Sequence, residues 1–449
     1  MMGATDQTSP AVLVQPSFGE ALALWAKIGC LSFGGAAGQI AMLHRAVVDE
    51  KKWIEERRFL DSLNFCTLLP GPEAQQLATY LGFLLHGVRG GFAAGLLFVV
   101  PGALVMLGLS FLYVLGRGIP VVDGLLFGIK AAVIAIVVEA LLKIGKRAFR
   151  TRFLVWMAVL SFALLAFLKV PFPVVIGGAA LLGAWLAVAK PDLLSLAVRL
   201  EAGQPITAQA ARAAFQAALV WLVIWWAPVL LAVLWLGPGH LLVELGLFFS
   251  KLAVITFGGA YAVLAYLAEA AVHSKGWVKA PEMIDGLGLA ETTPGPTILV
   301  NQFVGFLAAW RNPAPFSPWL AATLGAIMTV WVTFAPSFVW IFGGAPFVER
   351  ARSNRRIAGA LAMITAAVAG VIASLLLTFA LGVLFAKVSV FQAGPLVLPV
   401  PDLASLNLAA AGLALLAAFL LFRLHRGVVE TVAVLALAGV VATMLPRML

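Results

Sequence analysis

The sequence predicts an all-α protein that crosses a membrane many times and is built from two copies of one unit. Three observations predict it. The 449 residues are 62% hydrophobic and only 11% charged, where globular chains run to roughly 45–50% apolar and about 25% charged. The charges fall in short stretches between long apolar runs, the distribution of a polytopic membrane protein. The chain also repeats itself at a fixed spacing.

Lys27-Ile28-Gly29-Cys30-Leu31-Ser32-Phe33-Gly34-Gly35 matches Lys251-Leu252-Ala253-Val254-Ile255-Thr256-Phe257-Gly258-Gly259, Trp53 matches Trp277, and Pro70-Gly71-Pro72 matches Pro294-Gly295-Pro296. All three pairs share one offset of 224 residues. Pro101 then pairs with Pro336, and Lys130-Ala131-Ala132-Val133 with Thr365-Ala366-Ala367-Val368, at a second offset of 235 that implies one insertion near WRNPAPFSPWL. Internal duplication of this kind marks many transporter folds.

Apolar segments run in order at about 17–48, 59–86, 91–116, 120–145, 151–168, 171–189 and 213–236, then 240–272, 281–310, 317–345, 356–386, 404–424 and 428–446. A span needs about 20 apolar residues. The first two segments of each half are split by helix breakers into pieces of about 11 to 17 residues, too short to cross alone. Thirteen simple spans therefore compete with nine spans plus four re-entrant hairpins. The hairpin topology gathers Arg45, Lys51, Lys52, Arg57, Arg58, Lys143, Lys146, Arg147, Arg150, Arg350 and Arg352 on one face. The simple topology divides them, which the positive-inside rule disfavours. The expected arrangement is a cytoplasmic tail over 1–16, a first transporter repeat over 17–189, a cytoplasmic linker and connecting membrane helix over 190–239, and a second, inverted repeat over 240–449. The N-terminus is expected in the cytoplasm and the C-terminus outside.

Two halves that each carry FGG, a Trp-containing charged stretch and PGP resemble the chromate ion transporter family in its long two-domain form. The resemblance covers roughly residues 20–445. It implies export of chromate, a tetrahedral oxyanion, from the cytoplasm across the inner membrane. Composition and spacing say nothing of chromate itself, and sulfate has the same charge and nearly the same shape. An oxyanion channel or a sulfate or other inorganic anion transporter of the same architecture is the alternative.

The breaks carry the functional expectation. A helix that stops inside a membrane leaves backbone groups unpaired, which is tolerated only beside protein or a water-filled cavity. A helix that starts there directs free N–H groups and a partial positive charge at whatever occupies the cavity. The helix starts after Gly34-Gly35, Gly71-Pro72, Gly258-Gly259 and Gly295-Pro296 are therefore expected to surround one anion. Lys27 and Lys251, inside apolar runs, are candidates to neutralise it, with snorkelling to the interface as the alternative. Ser32 and Thr256 are candidate hydroxyl donors. Gln75, Gln76, Asn301 and Gln302 are candidate amide donors or, equally, interhelical ties. Glu73 stands where the second half has Thr297, and Glu291 where the first has Thr67. Glu73, Glu291 and Lys130 are the candidates for coupling to protons, and Glu139 is expected to pair with Lys143.

Other classes are disfavoured. The net charge of +10 sits in short membrane loops and gives no nucleic-acid stripe. Cys30 and Cys66 make no metal or disulfide pattern. HExxH, GxSxG and GxxxxGKS/T are missing and the five histidines are scattered, so no enzyme, cofactor or nucleotide is expected. The first twenty residues lack a cleavable signal pattern, so the first membrane segment is expected to start insertion. The strings Gly91–Gly95 and Gly124–Gly128 suit packing within one chain or in a homo-oligomer.

Overall fold

The structure, a computed structural model, describes residues 15–33, 35–195, 207–256, 260–347 and 354–448. Each apolar segment becomes helix; the first of each half ends one helix at Leu31 or Ile255 and starts another at Gly35 or Ala260, and the second of each half breaks at PGP. The first half holds α1 (Phe18–Leu31), α2 (Gly35–His44), α3 (Glu56–Cys66), α4 (Glu73–Gly116), α5 (Pro120–Ala148), α6 (Arg152–Ala166) and α7 (Phe172–Ala189). Connecting helix α8 covers Ala208–Leu236. The second half holds α9 (Leu241–Ile255), α10 (Ala260–Glu269), α11 (Ala280–Thr292), α12 (Val300–Arg311), α13 (Pro318–Gly344), α14 (Arg355–Leu384), α15 (Leu408–Ala418) and α16 (Val428–Met448). Among the described residues, six helices are long and apolar enough to cross a membrane, and shorter apolar helices accompany them.

Local chemistry sets the ends. Ser17 and Glu20 form a capping box on α1. Thr151, Ser317, Asn354 and Asn407 cap α6, α13, α14 and α15, and Pro120 and Pro318 occupy first helical positions, where a missing N–H costs nothing. The 44 residues of α4 are two limbs, divided at His86 and Gly87 by non-helical backbone with φ +61° at the glycine. The first limb continues the PGP segment and the second is a separate long helix.

Each split segment whose ends the contacts define returns to where it started. Lys275, after α10, pairs with Glu244 at the start of α9 at 2.6 Å, and Lys51 acts electrostatically on Glu20 at the matching place in the first half. Arg311, the last residue of α12, donates to the Trp277 carbonyl at 2.8 Å and to Glu282 in the first turn of α11 at 2.7 Å. The repeated tryptophans close matching turns: Trp53 N–H donates to Val47 O at 2.9 Å and Trp277 N–H to Ala271 O at 2.8 Å.

The halves are interlocked. α16 packs along α5, and α7 packs along α14, so the last helix of each half lies on a central helix of the other. Glycines allow these contacts: a side chain at Gly359 would meet the backbone of Gly183, and one at Gly124 would meet Thr443 and Val440. Both GxxxG strings are thus used inside the chain, since Gly91 and Gly95 face Phe342 and Phe338 of α13.

One element departs from the all-α expectation. Strands β1 (Val388–Ala393) and β2 (Leu396–Pro401) form an antiparallel hairpin after α14, tied to the end of α6 through Val397 N–H and Phe167 O at 2.7 Å. The alternation and the Ala-Gly-Pro turn in VSVFQAGPLVLPVP are a strand signal, masked by the surrounding hydrophobicity. Of the linker, residues 196–206 lie outside the described residues, as do Arg350 and Arg352.

Candidate functional site

The breaks of the two halves meet. Gly71 N–H donates to the Thr256 carbonyl at 2.8 Å, and Gly295 N–H donates to the Ser32 carbonyl at 2.8 Å. Each PGP glycine thus caps the end of the first helix of the opposite half. The backbone there needs glycine: φ is +128° at Gly71 and +91° at Gly295, and a Cβ at Gly71 would lie 2.6 Å from the Gln76 amide nitrogen. Gln39 reinforces the joint, its Nε2 donating to Gly295 O at 2.6 Å and to Ser32 O at 3.2 Å.

Beside this joint lies a cavity of about 450 Å³. Its inner wall includes Gly35, Gln39, Thr67, Pro72 and Glu73 from the first half and Glu291, Pro296 and Thr297 from the second. The matched pairs Thr67/Glu291 and Glu73/Thr297 are all present, so each PGP break brings one carboxyl and one hydroxyl group. The start of α4 and the three-residue 3-10 turn Thr297–Leu299 that leads into α12 open here. Pro72 caps α4 without a side-chain hydrogen bond, and the N–H groups of Glu73, Ala74 and Thr297 make no hydrogen bond among the described residues. These are the orphan donors of a helix N-terminus.

The outer wall is basic. It follows α5 from Ile136 to Ala148 and carries Lys143, Arg147 and Arg150, with Ala358, Leu361 and Thr365 of α14 opposite. Glu139 pairs with Lys143 at 2.6 Å, as the four-residue spacing predicts. Arg147 is close enough for its charge to act on Glu73.

The other predicted residues are placed as follows. Gly34, Gly258 and Gly259 lie outside the described residues. Lys27 and Lys251 are exposed and line no part of this cavity. Ser32 is buried with its hydroxyl unpaired, whereas Thr256 donates its hydroxyl to Leu252 O of its own helix at 2.6 Å. The four amides are buried in the framework. Gln75 donates to Thr79 at 3.4 Å, Gln76 to Pro70 O at 2.7 Å, Asn301 to Thr333 at 3.1 Å and Gln302 to Ala103 O at 2.9 Å. Asn301 and Gln302 tie α12 to α13 and α4, Gln76 braces the PGP loop before its own helix, Gln75 bonds within α4, and none lines the cavity. Lys130 lies elsewhere, paired with Asp285 at 3.1 Å.

Sequence reasoning missed Gln39, Arg147, Arg150 and Asp285 as site-related residues. Gln39 had a signal, a lone amide in the apolar run after FGG. The arginines read as ordinary loop charges because nothing in one dimension shows that the end of α5 overhangs the breaks.

Comparison with known proteins agrees with this architecture. The family model described as Chromate transporter matches residues 19–184 and 243–443, one segment in each half. A chromate transport protein of Pseudomonas aeruginosa is 33% identical over 374 residues, covering 82% of each chain. A probable chromate transport protein of Synechococcus elongatus is 27% identical over 351 residues, covering 77% of this chain and 80% of its own. A chromate transport protein of Cupriavidus metallidurans is 27% identical over 355 residues, covering 79% and 80%. No solved structure matches the chain.

Proposed function

The chain belongs to the chromate transporter family, and from that premise we propose that it is a secondary carrier that exports chromate from the cytoplasm, binding the dianion in the cavity between the two PGP breaks. One observation carries the reading. The start of α4 and the Thr297–Leu299 turn leading into α12, with N–H groups at Glu73, Ala74 and Thr297 unpaired among the described residues, meet at one cavity also lined by the exposed Arg147 and Arg150. A tetrahedral oxyanion offers acceptor oxygens in several directions, which suits donors from two converging helix starts. The arginines draw a dianion into the mouth. The exposure of Lys27 and Lys251 moves the neutralising role to these arginines.

The orientation follows from charge. The cavity mouth lies at the Lys143–Arg150 end of α5, so the positive-inside rule makes it the cytoplasmic face. The four split segments are read as re-entrant hairpins, two from each face, which makes the halves an inverted repeat and leaves the C-terminus outside. Transport needs no nucleotide. Two charges leaving an inside-negative cell at 100 mV release about 4.6 kcal/mol, enough for a gradient on the order of a thousandfold. Glu73 and Glu291 on the cavity wall are the groups through which protons would be coupled.

The test is uptake of labelled chromate by proteoliposomes of the purified protein, with membrane potential and pH gradient set separately. Accumulation on the positive side without a pH gradient is expected, and sulfate competition measures selectivity. No chromate movement under any gradient refutes the reading.

A further inference from the structure

Farther along α5 and α11 from the cavity, a charged cluster built on two buried carboxylates joins the two halves. Asp285 of α11 is fully buried. Lys130 of α5 approaches its Oδ1 at 3.1 Å, and the Tyr113 hydroxyl of α4 donates to its Oδ2 at 2.9 Å. One turn farther along α11, Glu282 is buried between Arg117, which follows α4, at 2.9 Å and Arg311 of α12 at 2.7 Å. The Arg117 guanidinium stacks over the Tyr113 ring at 5.0 Å, linking the two tiers.

The position of this cluster is informative. On α5 the cavity wall ends at Ile136, and Lys130 lies six residues, about 9 Å, beyond it. On α11 the wall ends at Glu291, and Asp285 again lies about 9 Å beyond it. Both helices continue from the cavity floor into the ion pair, then into the Arg117–Glu282–Arg311 tier near the end of α4. The cluster therefore stands across the way from the cavity to the face opposite its mouth.

We propose that Lys130–Asp285–Tyr113, backed by Arg117–Glu282–Arg311, is the outer gate of the transport path, closed in this structure while the cytoplasmic side is open. The inference rests on the reading of the cavity as the anion's path. The first half supplies Tyr113, Arg117 and Lys130, and the second half supplies Glu282, Asp285 and Arg311, so separating the halves at this level breaks Lys130–Asp285, Tyr113–Asp285 and Arg117–Glu282 and leaves only Arg311–Glu282 and Arg117–Tyr113. An apolar plug would oppose the entry of water. Charged partners are instead hydrated as they part, so the open state is stabilised too. Stability alone is a poor reason for such a pair, since apolar replacements of buried ion pairs are often no less stable. Once freed from Asp285, Lys130 becomes the next cation on the anion's way out.

The Lys130–Asp285 pair is not symmetric under the repeat. Asp61 holds the place of Asp285 in the first half, but Thr365 holds the place of Lys130 in the second, and Thr365 lines the open cavity. Thr365 bears no charge, so the Lys130–Asp285 ion pair is not repeated between the corresponding residues of the other half.

The test places a reporter at the cavity floor, Thr297→Cys, in a full-length chain with Cys30→Ala and Cys66→Ala. A membrane-impermeant thiol reagent is applied to sealed vesicles from either face. The parent is expected to label from the mouth face and at least tenfold more slowly from the opposite face. Asp285→Asn and Glu282→Gln are each expected to speed labelling from the opposite face by tenfold or more, with mouth-side labelling retained as the control for folding. The exchange Lys130→Asp with Asp285→Lys is expected to slow it again. Unchanged opposite-face rates in both single variants, with the mouth-side rate intact, overturn the gate alone. A reporter that labels from neither face overturns the path reading and the gate with it.

Discussion

Gly71 donates its backbone N–H to the carbonyl of Thr256 at 2.8 Å, across the boundary between the two halves. The bond from Gly295 to Ser32, also 2.8 Å, is the same bond with the halves exchanged. A helix that ends inside a membrane must find donors for its last carbonyls, and each half supplies them to the other. The breaks are therefore joined, and a shift of one PGP loop moves the end of a helix in the opposite half.

Replacement of either glycine tests that joint. Gly71→Ala and Gly295→Ala each force a side chain into a backbone region where strain costs about 1–3 kcal/mol, and at Gly71 the new methyl also meets Gln76. Both variants are expected to melt at lower temperature in detergent and to lose most chromate transport. Ala at Gly19, which has open space and ordinary backbone geometry, is the matched control.

The basic mouth predicts a ranking. Arg147→Gln and Arg150→Gln are each expected to raise the KM for chromate about three- to tenfold, equivalent to ~0.7–1.4 kcal/mol. Lys27→Ala and Lys251→Ala, exposed and away from the cavity, are expected to change it less. Initial rates of uptake at several chromate concentrations give the comparison. A larger effect at either lysine than at either arginine would move the site.

Glu73 sets a negative charge beside the proposed dianion. Glu73→Gln is expected to tighten chromate binding about tenfold, because it removes a like charge at the cavity wall. It is also expected to flatten the dependence of transport on pH. Calorimetry reads the binding and uptake at two pH values reads the transport, and weaker binding in this variant would count against an anion at that wall.

The Arg311–Glu282 clasp holds the α11–α12 hairpin closed. Glu282→Ala removes the buried carboxylate that holds two partly exposed arginines, a loss of about 1.5–3 kcal/mol for hydrogen bonds to charged groups. Thermal unfolding in detergent is expected to fall well below the parent. The exposed Lys275–Glu244 clasp is expected to contribute under about 1 kcal/mol when broken by Glu244→Gln.

The fold class was legible because hydrophobicity, breakers and repeat spacing all act along the chain. Split segments, the Glu139–Lys143 pair and the position of each break follow from local spacing. The site was only half legible. Gly71, Glu73, Gly295 and Thr297 stand out because they are repeated or differ between halves. Arg147 and Arg150 reach the same cavity from about 75 residues away through the packing of α5, and that relation has no local signature. Asp285 was hidden for a different reason: in PEMIDGLGLAE it looks like one more acid near a helix start, and its meaning depends on Lys130 and Tyr113 in the other half. The amides Gln75, Gln76, Asn301 and Gln302 were visible as polar residues among apolar ones, yet sequence does not distinguish a ligand donor from a tie between helices.

The exchange of helices between the halves has a consequence for biogenesis. α5 is laid against α16, which leaves the ribosome roughly three hundred residues later. Until then the groove around Gly124 and Gly128 faces lipid or the insertion machinery. The first half therefore stays unfinished through nearly the whole of translation, and a premature stop anywhere before α16 leaves a chain with an open seam for quality control to find.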